Sequence, residues 1–166
     1  MMALWPTRDM LDDIDGRPDV KAVAVLTWNL KEVLAWASGM NATNVLGDDG
    51  PPPAGLDDEM TRGALRVITD SVNLSTGISH TSDYNHALLT LRELRDHGRL
   101  PDPDAITAWC VANGWRHRHG RHLAQLASEL QAGKAKRLQR DGMSKLGPKA
   151  YEIWAEQGAD ANWEPA

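Results

Sequence analysis

Phenylalanine is absent from this chain, and cysteine occurs once, at Cys110. A lone cysteine excludes an intrachain disulfide and gives no sign of an oxidising compartment, so the cytoplasm is the expected location. No apolar run approaches the roughly 20 residues of a membrane span, and the start MMALWPTRDMLDD turns polar too early for a secretory signal. No membrane partner is expected. Catalytic signatures are missing too: H-E-x-x-H, G-x-S-x-G and G-x-G-x-x-G do not occur. Gly142 and Gly147 have the spacing of a phosphate-binding loop, but Pro148 stands where the lysine is needed and removes a backbone donor. Cys110 lies beside Trp109 on a face that reads as buried, which suits a small hydrophobe better than a nucleophile. A non-enzymatic chain without a cofactor is therefore expected.

Without phenylalanine, the seven tryptophans together with Leu, Ile, Val and Met must supply the bulky core. A chain of 166 residues with 42% apolar and 25% charged residues has ordinary globular composition, which argues against wholesale disorder. A domain of this size buries roughly 70% of the surface its unfolded chain exposes and needs no covalent staple. The expected architecture is all-α and bacterial-type: one bundle-like domain of six or seven helices over residues 1–158, followed by an acidic tail at 159–166.

Periodicity and stop signals place the elements. Thr7 caps a short helix to Ile14, with Met10, Leu11 and Ile14 on one side, and Asp15-Gly16-Arg17-Pro18 ends it. From Asp19, Val23, Leu26, Leu30, Val33, Leu34 and Ala37 recur at helical spacing as far as Ser38-Gly39. The first half, VKAVAVLTW, is also β-branched enough for a strand, so 20–28 stays open between the two. Residues 39–55 form a long loop with three consecutive prolines. Asp57, Asp58 and Glu59 open a helix that carries Met60, Ala64, Val67, Ile68 and Val72 inward and closes by Gly77. Ser82 or Asp83 caps the next helix, whose Tyr84, Ala87, Leu88, Leu91 and Leu94 face inward until His97-Gly98. Asp102-Pro103 starts another that stops at Asn113-Gly114, with Trp115 folding back on its last turn. Leu123, Leu126, Ala127 and Leu130 mark a helix from about Arg121, which is expected to continue past Gly133 to Arg140. A last short helix carries Tyr151 and Trp154 between Gly147-Pro148 and Gly158.

Charge is unevenly spread along this pattern. Residues 1–115 carry 9 Lys and Arg against 17 Asp and Glu, whereas residues 116–149 carry 9 against 2. Such a basic segment points either to a polyanionic partner or to pairing with the chain's own acidic remainder. Its densest part sets Arg116, His117, Arg118, His119, Arg121 and His122 at the entrance of a helix, where backbone donors and the helix dipole also favour anions. Gln125, Lys134, Lys136, Arg137 and Arg140 extend the polar face, and residues 102–140 take the general form of a basic helix-bend-helix. A metal held by His117, His119 and His122, with His80 or His86 completing the set, conflicts with the three interleaved arginines, whose positive charge repels a divalent cation. No metal is expected. Trp163 stands in the polar tail ADANWEPA, where its large apolar ring gains most by docking on an interface.

These features favour a small helical accessory or adaptor protein that acts through protein–protein contacts or self-association. The alternative is a nucleic-acid-binding or regulatory protein that uses segment 102–140.

Overall fold

The computed structural model describes all residues except 5, 16, 28, 46–54 and 166. The proline triplet of the 39–55 loop and Gly16 lie outside the described residues. The described chain is all-α apart from one pair of three-residue strands. The elements run β1 (Met2–Leu4), α1 (Arg8–Ile14), β2 (Ala24–Leu26), α2 (Leu30–Gly39), α3 (Glu59–Ser71), α4 (Thr81–Asp96), α5 (Pro103–Ala112), α6 (His117–Gln131) and α7 (Ala150–Ala159). Among the described residues the bundle thus has seven helices, as the apolar periodicities predict.

Local chemistry explains several helix ends. Thr7 Oγ1 accepts the Met10 N–H at 3.3 Å, and an Asp58 carboxylate oxygen accepts the Thr61 N–H at 2.8 Å. Asp102 accepts the Asp104 N–H at 2.8 Å, ahead of Pro103, whose missing donor costs nothing at a first helical position. Helix α5 ends in a Schellman motif: Trp115 N–H reaches Cys110 O at 3.0 Å, and Gly114 N–H reaches Val111 O at 3.2 Å. Gly114 supplies the left-handed turn with φ of 83°. Trp115 is thereby buried, and its Nε1–H donates to Thr69 Oγ1 at 3.0 Å, tying the α5–α6 connection to α3.

Five boundaries differ from the periodic reading. Residues 24–26 are strand, and α2 begins only at Leu30, because Ala24, Val25 and Leu26 pair in parallel with Met2, Ala3 and Leu4. Val25 then joins the cluster of Leu11, Val33 and Trp36. Helix α6 starts at His117, earlier than Arg121, and stops at Gln131 rather than Arg140. The stop is Gly133, left-handed with φ of 73°, which lets Lys134 N–H close on Glu129 O at 2.9 Å. Helix α3 ends at Ser71, well before Gly77, and Gly158 lies within α7 instead of beyond it.

The main core gathers Leu65 and Ile68 of α3, Leu88 and Leu91 of α4, Ile106 and Trp109 of α5, and Leu123, Ala127 and Leu130 of α6. A smaller cluster of Leu11, Val33 and Trp36 holds the N-terminal unit β1–α1–β2–α2 together, and α2 packs on α5. Helix α7 runs antiparallel to α3 at very close range, with Gly63 opposite Trp154 and Gly158 opposite Glu59. Trp154 fills the resulting pocket beside Ala64 and Leu94.

Candidate functional site

The polar side of α6 faces α1 across an open cleft of about 940 Å³. Helix α6 contributes Arg118, His119, Arg121, His122, Gln125 and Ser128; the opposite wall is Arg8, Asp9 and Asp12 of α1. Ser75, Thr76, Ser79 and His80, between α3 and α4, close one side, and Pro103, Asp104 and Thr107 at the start of α5 close the other. His119 fixes the first of these walls by bonding through Nε2 to the Ser75 carbonyl at 2.9 Å.

Much of the basic cluster pairs within the chain. His117 is buried, and its Nδ1–H donates to Asp12 Oδ1 at 2.7 Å; a carboxylate can only accept, which sets the tautomer. Its backbone N–H is capped by the Asp15 carboxylate. Arg121 donates to Asp12 Oδ2 at 2.7 Å and to Asp9 Oδ1 at 3.2 Å. Asp12 therefore bridges His117 and Arg121 and pins α1 to the first turns of α6. Burial holds His117 below the usual histidine range, against the pull of Asp12. His122 is lowered as well, by burial and then by the neighbouring His119.

The remaining candidates are more scattered. Arg116 and Arg118 are exposed and have no ion-pair partner among the described residues. Lys134 Nζ lies 3.5 Å from Glu129 Oε1, and Lys136 pairs with the same carboxylate, whose pKa that contact lowers. Arg137 and Arg140 sit exposed on the non-helical chain after α6, which is tied down where Gln139 N–H meets Asn85 Oδ1 at 2.7 Å. The three histidines of the cluster do not converge: His117 turns to Asp12, while His119 and His122 face the cleft. Among the described residues no group of three or more His, Cys, Asp or Glu side chains is arranged to hold a metal ion. Of the outlying histidines, His80 lines the cleft, while His86 pairs through Nδ1 with Ser71 Oγ at 2.9 Å. Cys110 is fully buried, and burial pushes its thiol pKa up, away from thiolate chemistry.

The site residues that sequence reasoning missed are Arg8, Asp9, Asp12 and Asp15, the hydroxyls of the 75–79 turn, and Asp104 and Thr107 of α5. A signal for the first three aspartates exists in the acidic run DMLDDID, opposite in sign to RHRHGRH. Which acids meet which bases depends on the packing of α1, which no local pattern encodes.

Residues 57–155, more than half of the chain, match the family model DUF1889, a domain of unknown function. The chain belongs to the DUF1889 family. No curated protein and no solved structure matches it. The DUF1889 stretch covers α3 to α6 and the first part of α7, so the α6 wall of the cleft lies inside it. The α1 wall, with Asp9 and Asp12, belongs to the N-terminal unit that precedes it.

Trp163 packs on the DUF1889 core itself. Its ring stacks on Trp109 at 6.1 Å and 25°, Arg66 lies 4.9 Å over its face, and its Nε1–H reaches Asp70 Oδ2 at 3.1 Å. Trp163→Ala is expected to lower stability by about 2 kcal/mol, combining the aromatic pair with the cation–π contact. A urea midpoint equal to that of the parent would show that the tail is solvated.

Proposed function

We propose that this protein is a non-enzymatic accessory protein that binds an extended segment of a partner protein along its β1–β2 sheet. Support comes above all from one observation: the solvent face of that sheet is apolar. Val25 packs on the α1–α2 cluster and its register partner Ala3 is buried, while Met2, Leu4 and Leu26 point outward and are 69%, 48% and 38% exposed. Leu30, at the start of α2, is 58% exposed.

Parallel sheets are normally covered on both faces, and a lone two-strand unit is marginal in water. Each strand here also hydrogen-bonds on one side only, since no third strand pairs with it among the described residues. An added strand satisfies the open backbone groups of one edge and brings side chains over Leu4 and Leu26, which is the usual mode of strand addition. The basic segment supports a nucleic-acid role less well, because Arg121, Lys134 and Lys136 are already paired with carboxylates and His117 is buried.

A photo-reactive residue at position 26, compared with one at Gln125 on α6, tests this in the producing cell. The sheet position is expected to crosslink a discrete protein that the α6 position does not. That protein, once purified, should bind the parent chain and lose at least tenfold in affinity for Leu4→Glu/Leu26→Glu. Identical crosslinks from both positions, or undiminished binding by the double variant, would sink the proposal; circular dichroism confirms that the variant remains folded.

A further inference from the structure

The cleft has a second property, independent of the apolar sheet, with which it shares no residue. Its three carboxylates are already matched: Asp12 and Asp9 by Arg121 at 2.7 and 3.2 Å, and Asp104 by Arg8 at 3.8 Å. Arg118 is the lining cation left without a carboxylate among the described residues. It begins a stripe at i, i+4, i+7 and i+10 on one face of α6: Arg118, His122, Gln125 and Ser128. None of these four side chains has a hydrogen-bond partner among the described residues, and all of them line the concavity.

We propose that the cleft binds a small phosphorylated compound, with Arg118 and His122 gripping its phosphate and Gln125 and Ser128 contacting the polar remainder. An arginine fork matches phosphate geometry, and an imidazole N–H adds a directed donor. A cleft near 940 Å³ stands at the upper end of the range for small-molecule sites and exceeds what inorganic phosphate alone fills. Apart from Pro103 no large apolar side chain lines it, so hydrogen-bonding groups are left to recognise the body of the ligand. A nucleic-acid strand fits less well. Its row of phosphates is opposed by the exposed carboxylates of Asp9 and Asp104, which share the cleft, more than a single phosphate is.

The test is amide chemical-shift titration of the full chain with ribose 5-phosphate, and with ribose, at constant ionic strength. The phosphate ester is expected to shift the amides of residues 118–128 and 75–80 saturably, ribose is not, and inorganic phosphate should compete. Arg118→Gln should weaken binding about tenfold or more, as loss of a charge-assisted contact implies, and His122→Gln somewhat less. Arg140→Gln, outside the cleft, should leave it unchanged. Arg118 is exposed, so its variant should keep the parent's melting temperature. The proposal fails if no saturable shift appears at millimolar ester, or if Arg140→Gln weakens binding as much as Arg118→Gln, which marks diffuse charge attraction. It also fails if a carboxylate such as citrate binds equally well, or if duplex DNA shifts the same amides and inorganic phosphate does not displace it.

Discussion

Gly63→Ala and Gly158→Ala are each expected to loosen α7 from the bundle and to cost about 3 kcal/mol, near the upper end for forcing a methyl group into a filled site. A Cβ at Gly63 would stand 1.7 Å from Trp154 O, and one at Gly158 would stand 1.9 Å from Glu59 O. Both obstacles are backbone atoms, so no side chain can rotate away, and α7 must move outward as a unit. That movement uncovers Trp154, which is 1% exposed, and stretches the bond from Arg62 Nε to Gly158 O at 3.0 Å and those from Arg66 to the carbonyls of Gln157 and Asp160. Helix propensity alone predicts the opposite sign, since alanine gains up to about 1 kcal/mol over glycine inside a helix. The sign is therefore diagnostic. A melting temperature lower by roughly 10 °C supports the close crossing, for a chain of this size; an equal or higher one refutes it.

Asp12→Ala should have an effect approaching that size. It leaves His117 buried with an unpaired Nδ1–H and takes from Arg121 the nearer of its two carboxylates. Leaving a buried donor without its acceptor costs about 1–3 kcal/mol, and Arg121, 31% exposed, adds less because water reaches it. Urea unfolding measures the loss, and hydrogen exchange should locate it in α1 and the first turn of α6. A uniform effect along the chain would contradict the role of Asp12 as a local pin.

The same contact predicts a pH dependence. His117 has a lowered pKa in the folded chain, through burial first, so between its folded value and about 6.5 the unfolded chain holds a proton that the folded chain does not. Its contribution is fully present above about pH 6.5 and is lost as pH falls below that value. His86 and His122, also lowered by burial, act with the same sign. His117→Gln should therefore shrink the slope of stability against pH in this window without abolishing it. A slope unchanged from the parent would mean that His117 titrates as freely in the folded chain as in the unfolded one.

Much of the fold is legible residue by residue. Thr7, Asp58 and Asp102-Pro103 announce helix starts because an oxygen acceptor, or a proline without a donor, meets unpaired N–H groups within a turn. Asn113-Gly114 announces a stop because glycine tolerates the left-handed turn that returns Trp115 to the core. The inward stripes of α4 and α5 follow from spacing alone. Gly133 carries the same stop signal, but the lysines and arginines beyond it read as a continuation of the helix.

The candidate site is legible by half. Arg118, His119, Arg121, His122 and Gln125 stand out as a polar helix face, and the structure lines the cleft with all five. The other wall does not stand out. Asp12 meets Arg121 across 109 positions of chain, and any of the 17 acidic residues before position 116 could have answered that arginine on charge alone.

By itself, then, the sequence determines the helical class, most helix positions and the basic face of α6, because caps, stops and apolar spacing act over a few residues. Tertiary structure alone decides that 24–26 is a strand, that α7 can touch the backbone of α3, and that α1 neutralises part of the basic cluster while leaving Arg118 open. The reason is that each of these depends on a partner distant in the chain. Short-range preferences at 24–26 are nearly balanced between helix and strand, and pairing with Met2–Leu4 tips them.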